Sequence, residues 1–148
     1  MNIRSNNSQT LFLALSAVSL LAGGLVYVVA RPRHLLLFWA ADQMGMGHAV
    51  DTLRATRMLS ECPEWAIYSL PGGLWSLSYI LVTSVLTQRL PKRMRVPVCG
   101  IIPLTGMMSE MFQATGWLPG TYDVVDLFCY ATPYLLYLFT QLKTPEKT

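Results

Sequence analysis

The sequence predicts an all-α membrane domain, a polytopic bundle of about four transmembrane helices with an interfacial helical segment between spans 1 and 2. Three observations lead there. Of 148 residues, 53% are hydrophobic and only 13% charged, about half the charged fraction of an ordinary soluble domain. The charges sit in short stretches between apolar runs, leaving too few polar residues to clothe a water-facing surface. The apolar runs approach the length a helix needs to cross a hydrocarbon core of roughly 30 Å. The chain is short enough that residues 1–148 form one domain.

The first span is expected over residues 11–30, from Leu11 to Ala30, a run without a charge after a polar N-terminus carrying Arg4. A cleavable signal peptide competes with this reading, because Val28-Val29-Ala30 weakly resembles a small-residue cleavage site. The run is longer than a usual signal core and Val28 is bulky for that position, so an uncleaved span is the expectation. Residues 31–65 then form the longest polar connection. Arg31, Arg33, Arg54 and Arg57 balance Asp42, Asp51, Glu61 and Glu64 there. Within it, Leu35–Met58 interleaves charges with Leu, Phe, Trp and Met, a pattern suited to one or two helices lying at the membrane surface. His34 and His48 are read as solvated loop residues.

The second span is expected over residues 66–87, broken near its start by Pro71-Gly72-Gly73, so that its regular part begins at Leu74. Trp65, Tyr68 and Trp75 are expected as interface anchors. A basic cluster follows, Arg89, Lys92, Arg93 and Arg95. Between two apolar runs it reads as a cytoplasmic loop rather than a nucleic-acid surface. The third span is expected over residues 96–113, holding Pro103 and Gly106, and the fourth over residues 124–142, holding Pro133.

Orientation follows from the Lys and Arg count. With both termini and the 89–95 loop cytoplasmic, Arg4, Arg89, Lys92, Arg93, Arg95, Lys143 and Lys147 lie inside, against Arg31, Arg33, Arg54 and Arg57 outside. Seven against four favours this arrangement, while Arg31 and Arg33, directly after span 1, count against it. Cys62, Cys99 and Cys129 have neither metal-ligand spacing nor the even count of a disulfide framework. Gly23-Gly24 and Gly72-Gly73 suit close helix packing, within the chain or in an oligomer.

One constellation stands apart. Glu110 and Gln113 share a helix face, Asp123 and Asp126 share another at the start of the next helix, and Gly116–Thr121 is a turn by composition. A helix hairpin would gather three carboxylates and an amide at one membrane surface, where acidic groups are costly unless paired, hydrated or bound to a cation. Two explanations compete for Asp123 and Asp126. They could simply cap their helix, Asp123 as N-cap and Asp126 three positions on as in a capping box. Glu110 has no such explanation, since a negative charge near a helix C-terminus is disfavoured.

Glu110-x-x-Gln113, the Pro119-Gly120-Thr121 turn and Asp123-x-x-Asp126-Leu127 together resemble the VanZ-like family of small bacterial integral membrane proteins. Leu70-Pro71-Gly72-Gly73-Leu74-Trp75 resembles a Leu-Pro-Asp-x-Leu-Trp stretch of some relatives, with Gly72 in place of the aspartate. The resemblance spans roughly residues 65–140. It implies the bacterial plasma (inner) membrane and, for the founding member, reduced susceptibility to a glycopeptide antibiotic.

Three functions are compatible with these residues. One, which the resemblance alone implies, is a non-enzymatic envelope protein that acts on or shields a lipid-linked precursor, with Glu110, Gln113, Asp123 and Asp126 as its binding site. The second is an intramembrane enzyme on a lipid phosphate, with Glu110, Asp123 and Asp126 as catalytic groups or as ligands of a divalent cation such as Mg²⁺, which takes oxygen donors. The third is a small subunit of a membrane complex.

Overall fold

In the computed structural model, which describes residues 3–56 and 59–143 with side chains from residue 7 onward, the chain is all-helical. Seven helices and no strand occur among the described residues: α1 (Ile3–Ala30), α2 (Leu36–Gln43), α3 (Gly47–Ala55), α4 (Glu64–Tyr68), α5 (Leu70–Leu86), α6 (Lys92–Ala114) and α7 (Val124–Lys143). Arg57, Met58, Lys147 and the side chain of Arg4, used in the sequence reading, lie outside the described residues.

The four long helices form an antiparallel bundle. α5 is central and packs against α1, α6 and α7, while α6 also packs on α7. At one end, Gln9 at the start of α1 donates to Gln88 beyond α5 (2.7 Å), and Lys92 and Arg95 of α6 hold Gln141 of α7. At the other end, Arg31 reaches the Tyr68 carbonyl at 3.0 Å and Glu110 reaches Asp123. The short helices α2, α3 and α4 fill the long connection at this second end. Within the expected segment Leu35–Met58, the described residues contain two short helices, α2 and α3.

Polar side chains are buried beside the apolar core of Phe38, Val50, Ile80, Cys99 and Tyr137, while many large apolar side chains lie outside. Buried side chains include Ser16, Ser19, Ser69, Ser76, Ser78, Thr83 and Glu110, whereas Leu11, Leu15, Leu21, Ile101, Met111, Phe128, Leu135 and Phe139 are exposed. Ser16 of α1 donates to the Ser78 carbonyl of α5 at 2.9 Å and meets its hydroxyl at 3.0 Å, an interhelical bond suited to a medium without water. The stretch Asn7–Ala30 is long and apolar enough to cross a membrane, and only 11% of its most apolar window is buried. Its apolarity is therefore not that of a core helix. α5 is apolar over 17 residues, and Asn7–Ala30 is the one such span by length and composition among the described residues. The Pro, Gly, Ser and Thr content of α6 and the Tyr, Thr and Pro content of α7 lower their apolarity.

Three local expectations change. The break before the second apolar run is confined to Ser69, between α4 and α5, so that Pro71-Gly72-Gly73 is helical and the helix starts at Leu70 rather than Leu74. Pro71 falls in the first turn, where a missing N–H costs nothing. α6 starts at Lys92, four residues early, because Pro91 in extended conformation (φ −62°, ψ 150°) serves as its N-cap. The helix runs on through Pro97 and Pro103, so much of the basic cluster forms its first turn. Trp75 is no anchor: its indole packs on Tyr27 (centroids 5.4 Å apart) and sits where a Cβ on Gly23 would be, whereas Trp65 and Tyr68 remain exposed.

The glycine pairs serve packing inside the chain. A Cβ on Gly73 would lie 2.9 Å from the Cys129 carbonyl oxygen, so α5 and α7 touch backbone to backbone there. Gly24 is the exception, with open space beside it.

Candidate functional site

α6 stops because Gly116 takes a left-handed conformation (φ 75°). Its N–H bonds to the Gln113 carbonyl at 3.0 Å and the Trp117 N–H to the Phe112 carbonyl at 2.9 Å, the paired closure of a Schellman motif. The accompanying apolar contact is the Phe112–Trp117 stack, with centroids 5.8 Å apart. The turn then passes Gly120, whose φ of 144° excludes side chains and whose Cα faces Gln113: a Cβ there would lie 2.6 Å from Gln113 Oε1. The turn and the Gln113 side chain therefore fix each other.

α7 opens on Asp123, whose Oδ1 accepts the Val125 N–H at 2.8 Å, the bond of an N-cap. The other half of the expected capping box is absent. The Asp123 N–H donates to Glu110 Oε2 of α6 at 3.2 Å, not to Asp126. Glu110 is only 5% exposed, and this cross-hairpin bond gives its charge a reason to lie near the end of α6. Asp126 makes no hydrogen bond or ion pair among the described residues, so capping explains Asp123 and leaves Asp126 over. Asp123→Ala is expected to lower stability by about 1 kcal/mol through loss of the cap, read by thermal melting in detergent. The Glu110 bond to the backbone N–H survives that change.

These residues line a cavity of about 560 Å³ at the α1–α5 connection end of the bundle. Glu110, Gln113, Asp123 and Asp126 form its acidic side. Arg31, just past α1, lines the same cavity, and sequence reasoning weighed it only as a topological charge. Hydroxyls of Ser109, Thr121, Tyr122, Tyr130 and Tyr68 complete the lining. The Arg31 guanidinium lies over the rings of Tyr27 and Tyr68, 5.6 and 5.1 Å from their centroids. Its Nη2 donates to the Tyr68 carbonyl, and its Nε is buried without a partner. Among the described residues it forms no ion pair with the carboxylates that share the cavity lining. Arg33, by contrast, pairs with Asp42 at 3.2 Å and Asp51 at 3.0 Å, and Arg54 holds the Val28 and Arg31 carbonyls.

Tyr130 was also missed. Its ring lies between α5 and α6: a Cβ on Gly72 would lie 2.9 Å from its Cζ, and one on Gly106 2.6 Å from its Cδ1. Gly72, where the resemblance has an aspartate, thus faces Tyr130, and an aspartate side chain there would displace that ring. The sequence did hold a signal for Arg31 and Tyr68. In an up-and-down bundle, the end of the first helix and the start of the second share a level with the third connection.

The cavity is a polar box with one cation and three carboxylates, able to bind hydroxyls, amines and phosphate oxygens. Glu110, Asp123 and Asp126 line it without converging: among the described residues no three acidic, His or Cys side chains approach closely enough to hold a metal ion. His34 and His48 are exposed and away from it. Comparison with protein-family models, curated proteins and solved structures finds no match, so the functional reading rests on the fold and this cavity.

Proposed function

We propose that the chain is a VanZ-like, four-span protein of the bacterial plasma membrane, with both termini cytoplasmic. In this reading the cavity at the outer end holds the polar head of a lipid-linked envelope precursor, shielding it rather than transforming it. The observation that carries the reading is a cavity lined by Arg31 together with Glu110, Asp123 and Asp126 at one end of an apolar-surfaced bundle. Each part of such a head has a counterpart. A guanidinium held in no ion pair suits a phosphate oxygen, while carboxylates, Gln113 and tyrosine hydroxyls suit sugar hydroxyls and amines.

The membrane part is supported by the distribution of polarity. Leucines and phenylalanines on the outside of α1, α6 and α7 cost little in lipid, and interhelical serines and close glycine contacts are what membrane helix packing favours. The antiparallel order puts the basic first turn of α6 at the end opposite the cavity, in keeping with the orientation drawn from the charge count.

The test is thermal stabilisation of the detergent-purified protein by an undecaprenyl-pyrophosphate-linked saccharide, in wild type and Glu110→Gln. A ligand that binds only the folded state raises the melting temperature by mass action. Stabilisation in wild type that is weakened in Glu110→Gln is expected. An unstabilised wild type, or equal stabilisation of the variant, contradicts the reading. Stabilisation by Mg²⁺ alone that disappears in the variant would instead favour a cation-dependent enzyme.

A further inference from the structure

At the opposite end of the bundle a second cavity, of about 420 Å³, opens between α1, α5 and α7. Phe12, Leu77, Leu81 and Leu136 give it apolar walls, and its polar lining includes Ser84, Gln88 and Gln141 as well as Arg95 and Tyr137. Tyr137 is 8% exposed, and its hydroxyl, beside the Cys99 thiol and the Arg95 guanidinium, makes no hydrogen bond of good geometry. Arg95 spends Nη2 on the Gln141 side chain, and its Nε is buried and unpartnered.

Two donors thus border one cavity without acceptors, and a buried donor left unsatisfied is destabilising. Ser84, Gln88, Thr140 and Gln141 also line the cavity, yet none accepts from Arg95 Nε or the Tyr137 hydroxyl. No Asp or Glu lines it, so a negative charge to face Arg95 would come from outside the chain. A free phosphate would satisfy the donors and leave the apolar walls empty. A ligand with an anionic head and a hydrocarbon body would fill both. Arg89, Lys92 and Arg93 flank the same end, and such basic clusters beside helix ends attract anionic lipid.

We propose that this cavity binds an anionic phospholipid, its phosphodiester oxygens accepting from Arg95 Nε and the Tyr137 hydroxyl and one acyl chain lying along the wall formed by α1, α5 and α7. The site rests on the membrane-spanning reading above and is independent of what the outer cavity holds. With the orientation given there, the lipid belongs to the cytoplasmic leaflet.

The experiment titrates the full-length protein in a non-ionic detergent with phosphatidylglycerol, phosphatidylcholine or sn-glycerol 3-phosphate, following melting temperature and, by native mass spectrometry, bound lipid. Phosphatidylglycerol is expected to bind one per chain and raise the melting temperature, with phosphatidylcholine and glycerol phosphate ineffective at the same concentration. Tyr137→Phe, which keeps the ring and its packing, and Arg95→Gln are each expected to weaken phosphatidylglycerol binding about tenfold. Equal binding of the two lipids, binding of glycerol phosphate as strong as that of the lipid, or undiminished binding by both variants overturns the proposal. A chain that needs detergent and melts cooperatively yet ignores phosphatidylglycerol refutes this site alone. One that stays dispersed and folded without detergent refutes the membrane reading with it.

Discussion

Gly73→Val is expected to destabilise the folded protein by about 1–3 kcal/mol, the usual cost of forcing extra methyl groups into a close-packed contact. The neighbour of a Cβ at this position is the Cys129 carbonyl oxygen, 2.9 Å away, followed by the Cys129 Cβ at 3.2 Å. Backbone cannot swing aside as a side chain can, so α5 and α7 must separate. The cavity then loses part of its frame, because Tyr130 on α7 is seated against Gly72 on α5 and Gly106 on α6. Gly24→Val is the matched control. Nothing lies within 4 Å of its Cβ position, so a change within about 0.5 kcal/mol is expected, as at other unconstrained surface sites. Reversible unfolding in mixed detergent, followed by tryptophan fluorescence, compares the two. Equal effects would mean that α5 and α7 do not meet as described.

Arg31→Gln is expected to weaken binding of a phosphate-bearing headgroup about 10- to 100-fold. A hydrogen bond to a charged group contributes about 1.5–3 kcal/mol, and each 1.4 kcal/mol is a factor of ten. The same substitution at Arg33 provides the comparison. Arg33 carries the same charge two residues on, but it is committed to Asp42 and Asp51 and does not line the cavity. Arg33→Gln should therefore leave affinity within about twofold. Melting temperatures measured alongside separate loss of binding from loss of the Tyr27 and Tyr68 stacking. An affinity that falls equally in both variants would reduce Arg31 to part of a diffuse positive field.

The legible parts of this molecule were those encoded locally. The turn at Gly116–Gly120 and the N-cap at Asp123 each depend on residues a few positions apart, and the structure has helices over all four apolar runs. The anomaly of Glu110 was legible too, as a charge at the wrong end of a helix. What resolves it was not, because its partner is a backbone N–H across the hairpin, which no side-chain pattern announces. The capping box failed for the same reason: Glu110 takes the N–H that Asp126 would have taken. The first turn of α5 was misjudged because Pro-Gly-Gly reads as a breaker wherever it falls, while its actual cost depends on whether the helix has already begun. Arg31 and Tyr68 share a level with the third connection in any up-and-down bundle, but Tyr130 enters through the packing of α7 on α5 and α6, and pairing of distant helices is the information a single sequence carries least.

The central claim, a four-span bundle with its acidic cavity on the outer side, is tested most directly by thiol labelling in intact bacteria. Cys62, Cys99 and Cys129 are replaced, and single cysteines are introduced as Trp117→Cys in the α6–α7 turn and Arg89→Cys before α6. A membrane-impermeant maleimide is expected to react with the cysteine at position 117 in intact cells, and with the one at position 89 only after the membrane is opened. Labelling of both from the same side, or recovery of the chain in the soluble fraction, would contradict it.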